Sequence, residues 1–200
     1  MASLATDNFN RTDGGLGANW ATQTGFTAPL IASNVVQTNA IGSDSVANYS
    51  AVTWPNDQYS QVSATTINTA TSRFVSATVR CATAAQSFYA AGLAGPFGAS
   101  TTRELRKCVT GTTTTLASNT GTHATGDVVK CECNGTTIRH LVNGTQIHSV
   151  TDSSLASGRA GIFIFVDTGV VADAQLDNWD GGDLTSASSK IQRLTMLGIG

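Results

Sequence analysis

"GDVVKCECNGTTIRHLVNGTQIHSV", Gly126 to Val150, carries the clearest structural signal in this chain. Val129, Cys131 and Cys133 alternate with Lys130 and Glu132, and Ile138, His140 and Val142 alternate with Arg139 and Leu141. Side chains two apart share one face of a strand, so this is the period of half-buried strands. Asn134-Gly135 and Asn143-Gly144 separate the runs, and Asn-Gly between alternating runs is the strongest short hairpin signal. The spacing predicts an antiparallel meander of three strands, over 128–133, 136–142 and 145–150.

Outward from this stretch the pattern repeats. In "RFVSATVRC", Val75, Ala77, Val79 and Cys81 fall on one face and Ser76, Thr78 and Arg80 on the other. Gly and Asn turn signals recur along the chain and helix signals are nearly absent. Two stacked antiparallel sheets, of a dozen or so strands, bury so many alternating faces. "DNFNR" (Asp7 to Arg11) and "LDNWDGG" (Leu176 to Gly182) stand near the two ends. Terminal strands that pair with each other would close the sandwich and send Phe9 and Trp179 into its core.

Composition narrows the partners. The 200 residues carry a net charge of −2, and only 12% are charged, about half the usual share. A nucleic-acid binder needs concentrated Lys and Arg. Here a single modest cluster, Arg103, Arg106 and Lys107, encloses Glu104, so nucleic acid is excluded as a partner. No run approaches the ~20 apolar residues of a membrane span, and no membrane partner is expected. The opening "MASLATDNF" lacks the basic and apolar segments of a secretory signal, so synthesis in a cytosol is expected. Cys131 and Cys133 are spaced C-x-C, on one strand face with Val129. They read as buried reduced thiols, with a disulfide or metal role as the alternative.

"DNFNRTDGGLGANW", "VTWPNDQYSQV", "GDVVKCECNGTTIRHLVNG" and "LDNWDGG" follow one another in an order that resembles the concanavalin A-like (laminin-G-like) jelly-roll domains of bacteriophage structural proteins and bacterial glycan-binding proteins. The resemblance spans roughly Asp7 to Gly182. It implies an all-β, antiparallel jelly-roll sandwich over residues 1–183, followed by a short apolar C-terminal extension over 184–200. The fold hosts many functions. The acidic signature of its glycanases, E-x-D-x-x-E, is missing, and Glu104 and Glu132 are the only glutamates. His140 lies on an apolar strand face and reads as a packed histidine. No enzyme activity and no obligatory cofactor are expected.

Three sets of residues are candidates for binding. Related jelly rolls carry a structural calcium, and Asp7, Asp177, Asp180 and Asp183 converge if the end strands pair; solvated turn residues are the alternative. "TWPNDQY" offers Trp54 and Tyr59 as an aromatic platform for a glycan, with Asn56 and Asp57 beside them, unless Trp54 fills the core. Ile191, Leu194, Met196, Leu197 and Ile199 make a tail that is apolar on both sides. Such a patch marks an interface, so the tail is expected to dock on a neighbouring subunit, in a homo-oligomer, with a trimer as the specific guess, or on a virion partner. Folding back over an open sheet edge is the alternative. The leading expectation is therefore a non-enzymatic virion protein: a capsid decoration (cement) protein or an accessory fibre or tail component, assembled in the host cytoplasm. The alternative is a lectin-like carbohydrate-binding module or receptor-binding protein.

Overall fold

A computed structural model describes residues 1–96 and 101–184; residues 185–200, and with them the five apolar tail residues Ile191, Leu194, Met196, Leu197 and Ile199, lie outside the described residues. In chain order the strands are β1 (Ala2–Asp7), β2 (Gly14–Gly15), β3 (Trp20–Thr22), β4 (Leu30–Ala32), β5 (Val35–Gln37), β6 (Ser45–Tyr49), β7 (Gln58–Ile67), β8 (Arg73–Cys81), β9 (Phe88–Ala94), β10 (Thr102–Val109), β11 (Thr112–Thr120), β12 (Val128–Asn134), β13 (Thr137–Val142), β14 (Thr145–Thr151), β15 (Arg159–Val166) and β16 (Ala174–Asp183). One 3-10 turn, Val171–Asp173, precedes β16. The strands form two antiparallel sheets. One runs β14-β13-β12-β7-β16-β5-β4-β2, with β1 added to β16; the other runs β11-β10-β9-β8-β15-β6-β3. This is a jelly-roll sandwich with its core between the sheets.

The meander forms as the Asn-Gly spacing requires. Cys133 opposes Ile138, Cys131 opposes His140, and Val129 opposes Val142 across β12 and β13. All six point into the core and are nearly or fully buried. The four cysteines are free and buried, and burial pushes the Cys133 and Cys81 thiols up to about 12. Lys130 and Glu132 face outward, as alternation demands, yet Glu132 is only 6% exposed. Lys130 pairs with it at 2.8 Å and also lies over the Tyr59 ring, 4.3 Å from its centroid.

One strand departs from simple alternation. Arg80 sits in the left-handed region at φ 52°. The register with β15 jumps there, from Thr78 opposite Gly161 to Cys81 opposite Arg159. Cys81 therefore leaves the core face of Val75, Ala77 and Val79 and joins Phe74 and Val46 on the opposite face. This corrects the strict alternation expected for 73–81: an extra residue in one strand flips everything after it. The Arg80 guanidinium reaches the carbonyls of Asn56, Leu155 and Gly135 and ties three loops together.

The end strands pair, with Ala2 opposite Asp183 and Asp7 opposite Trp179. Phe9 and Trp179 are buried against Trp20, at ring separations of 5.7 and 4.8 Å. Asp7 fixes this corner. It accepts both Arg11 guanidinium nitrogens at 2.7 and 2.9 Å, the Trp20 indole N–H at 2.7 Å and the Phe9 amide at 2.8 Å. Burial alone would raise its pKa, but the hydrogen bonds from Arg11, Trp20 and Phe9 outweigh it and hold the carboxyl below its ordinary value. A depressed folded-state pKa means stability that is fully present above the unfolded value, near 3.8, and is lost as pH falls through the folded value. Asp7→Asn should therefore be less stable than the parent at pH 7, and urea midpoints of the two should converge as the pH drops below 4.

Candidate functional site

The four expected calcium ligands do not form a cage. Asp7 and Asp180 line one polar recess of about 480 Å³ with Thr6, Asn8, Asn178 and Trp179. Asp7, however, is taken by Arg11 and Trp20, and Asp180 accepts the hydroxyls of Ser3 at 2.7 Å and Tyr59 at 3.0 Å. Asp177 accepts the amide of its neighbour Asn178 at 2.7 Å, and Asp183 closes the ladder opposite Ala2. Among the described residues no group of three or more His, Cys, Asp or Glu is placed to hold a metal ion. The aspartates at the strand ends make local hydrogen bonds, and Asp7 also pairs with an arginine.

The expected glycan platform is also dispersed. Trp54 packs edge-on against Trp179 at 6.1 Å and donates its indole N–H to the Tyr49 carbonyl. Tyr59 is 5% exposed, lies under Lys130 and donates to Asp180; burial first, then Asp180, pushes its hydroxyl up to about 12. Asn56 and Asp57 sit at the rim around Arg80, in a separate recess of about 360 Å³. The aromatic pair faces two different environments because Trp54 precedes β7 and Tyr59 lies within it.

A better-formed surface lies on the face of the seven-stranded sheet that points away from the core. Alternation and register place Phe74 on β8, Phe88 on β9, and Phe163 and Phe165 on β15 all on that face. The rings meet edge to face: Phe74 and Phe163 at 5.2 Å, Phe88 and Phe163 at 5.8 Å, and Phe26 and Phe88 at 5.5 Å. Gly92 makes room for them, since a Cβ there would meet the Phe74 ring at 2.6 Å and the Val75 carbonyl at 2.5 Å. Arg106, on β10, stacks over Phe74 with its guanidinium carbon 4.0 Å from the ring centroid. Its Nε donates to Glu104 at 2.6 Å, and the other Glu104 oxygen accepts the Thr102 hydroxyl at 2.6 Å. Asp44, Arg106, Thr113, Phe163 and Phe165 then enclose a recess of about 300 Å³. Burial raises the Asp44 carboxyl above its ordinary value, and Arg106 opposes that rise. Sequence reasoning missed this surface. The period-2 pattern of "GIFIFV" marks Phe163 and Phe165 as one face, and both line the recess.

Chemically, this is an apolar floor with an ion pair, a second carboxylate and hydroxyls at its edge. Other acids are spent elsewhere: Glu132 on Lys130 and Arg139, and Asp152 on Lys107, Tyr89 and Ser154.

Solved structures share the whole architecture. The carbohydrate-binding module CBM66 from Bacillus subtilis superposes with a TM-score of 0.62 at 16% identity, over 82% of this chain and 96% of that one. The fold is a concanavalin A-like jelly roll. A legume lectin-like domain from Entamoeba histolytica matches this jelly roll at a TM-score of 0.54 and 12% identity, over 84% and 91% of the two chains. SCLam, a non-specific endo-β-1,3(4)-glucanase of family GH16, matches at 0.55 and 9%, over 90% of each chain. No protein-family model and no curated protein sequence matches the jelly roll.

Proposed function

We propose that this chain is a non-catalytic glycan-binding module that holds its ligand in a recess on the outward side of the seven-stranded sheet. The carrying observation is the recess between Phe163, Phe165, Arg106, Asp44 and Thr113. A sugar ring presents C–H groups on its faces and hydroxyls at its rim. The first suit the phenylalanine floor, and the second suit Arg106, Asp44 and Thr113. At about 300 Å³ the recess is at the lower end of small-molecule sites. Glycoside cleavage needs two carboxylates at roughly 5–9.5 Å with one free to give or take a proton. On this face both oxygens of Glu104 already accept hydrogen bonds, which favours binding over turnover. The carbohydrate-binding module and the lectin-like domain named above support the same reading.

The docking segment of the virion role expected from the sequence, residues 191–199, lies outside the described residues, and none of the structures named above is a virion protein. Affinity electrophoresis against a panel of neutral polysaccharides tests the glycan reading. At least one should retard the parent, Arg106→Ala and Phe165→Ala should each weaken that retardation tenfold or more, and reducing-sugar release should stay at blank. Retardation left unchanged by both substitutions would move the site elsewhere.

A further inference from the structure

We propose that the interior of the sandwich holds a tetrahedral oxyanion, sulfate or phosphate, between Arg73, Arg103, His123, His140 and His148. The five residues come from distant parts of the chain and form two contacting pairs, Arg73–His123 and His140–His148, with Arg103 in electrostatic reach of both. Arg73 is on the core face of β8 with Val75, and Arg103 is on the core face of β10 with Leu105. His140 and His148 oppose each other on β13 and β14, with their Nδ1 atoms 3.3 Å apart. His123 lies on the crossover between β11 and β12, its Nδ1 3.5 Å from the Arg73 Nη2. Arg103 acts electrostatically on all three histidines.

Six nitrogens of this cluster are buried without a hydrogen-bond partner: Arg73 Nε and Nη1, Arg103 Nε, and the Nε2 atoms of His123, His140 and His148. Arg73 is fully buried, and among the described residues no carboxylate pairs with it or with Arg103. The acids that act on the histidines are occupied. Asp127, near His123, accepts the Ala124 amide and the Asn143 side chain. Glu104, near His148, holds Arg106 and Thr102. Residues 97–100 and 185–200 contain no Asp or Glu.

Buried polar groups are normally satisfied, and a buried charge is normally paired. Here two guanidinium groups share a site with no counter-charge. Water would fill hydrogen bonds but cancel no charge. A tetrahedral dianion does both, since each oxygen accepts several N–H donors and the two negative charges match the two arginines. Burial first, and then the neighbouring cations, hold His123 at about 4 and His140 at about 3. An anion among them would raise both, so binding should tighten as the pH falls.

The test is the thermal midpoint of the full chain, measured at constant ionic strength while chloride is exchanged for millimolar sulfate, phosphate or acetate. Sulfate or phosphate should raise the midpoint saturably, by about 5–10 °C at a hundredfold excess over its Kd; for sulfate, which stays a dianion, the rise should be larger at pH 5.5 than at pH 7.5. The rise should vanish in Arg103→Gln, which is only partly buried and expected to fold, and persist in Arg139→Gln on the outer surface. General salting-out by sulfate is unsaturable and survives both substitutions. Native mass spectrometry of the freshly purified chain covers the case of an anion already bound, which would show as one adduct that Arg103→Gln lacks. A midpoint indifferent to these anions with no adduct, a response to acetate alone, or a response intact in Arg103→Gln would each overturn the proposal.

Discussion

Arg80→Ala should destabilise the domain by about 3–5 kcal/mol, among the largest effects of any single side chain. The Arg80 guanidinium is 2% exposed as a residue and donates to the carbonyls of Asn56, Leu155 and Gly135, at 2.7 to 3.1 Å. Its own backbone N–H donates to the Gln58 side chain. Removing the guanidinium leaves three carbonyls without their donor and empties the space between three loops. Hydrogen bonds from a charged group contribute about 1.5–3 kcal/mol each, less than additively. Arg80→Lys should recover little, because a single ammonium does not reproduce the forked donor set. Arg80→Gly should be milder than Arg80→Ala by about 1 kcal/mol, because glycine adopts φ 52° without the side-chain clash. Urea unfolding of the three variants checks the order. Equal stability of parent and Arg80→Lys would remove the clamp from the account.

Trp179→Ala should cost a similar amount, about 3–5 kcal/mol. At about 2–4 °C per kcal/mol for a chain of this size, the thermal midpoint should fall by about 6–20 °C. Trp179 is 1% exposed. Its ring stacks on Tyr49 at 5.1 Å, meets Trp20 at 4.8 Å and Trp54 at 6.1 Å, and donates its N–H to Ser60 at 2.9 Å. Trp179→Phe keeps most of the apolar contact and should fall between the parent and Trp179→Ala. The three tryptophans of the chain all belong to this cluster, so tryptophan emission reports its packing directly. A midpoint loss under 2 °C in Trp179→Ala, with unshifted emission, would mean the corner is not the keystone described.

The meander and the pairing of the ends were legible because they are local or symmetric facts of pattern. Alternation needs only neighbours, Asn-Gly needs two residues, and Phe9 and Trp179 sit in matching polar-aromatic contexts. The bulge at Arg80 was not legible, since nothing in "TVRC" marks an arginine for a left-handed backbone. The local engagement of the expected calcium ligands was illegible for a related reason. Asp7 can be seen to approach Asp180, but the chelation of its carboxylate by Arg11, four residues on, depends on how the Phe9 turn folds back. Trp54 and Tyr59 are five residues apart, and the turn between them sends one ring against Trp179 and the other beneath Lys130. The outward phenylalanine face was half legible: its alternation is plain in 161–166, but which face turns away from the core depends on the other sheet. The buried basic cluster was illegible, since residues 73, 103, 123, 140 and 148 share no spacing.

β1 has a mechanical consequence. Among the described strands it is held by β16 alone, antiparallel, with Ala2 opposite Asp183 at the outer end and Asp7 opposite Trp179 at the inner end. Traction applied between residues 2 and 183 therefore loads the ladder one rung at a time, as a zipper opens, instead of shearing all rungs together. Peeling proceeds inward until it reaches Asp7, where four hydrogen bonds from Arg11, Trp20 and Phe9 converge on one carboxylate. Under tension the domain yields softly along β1 and then arrests at that latch, with the tryptophan cluster behind it still closed.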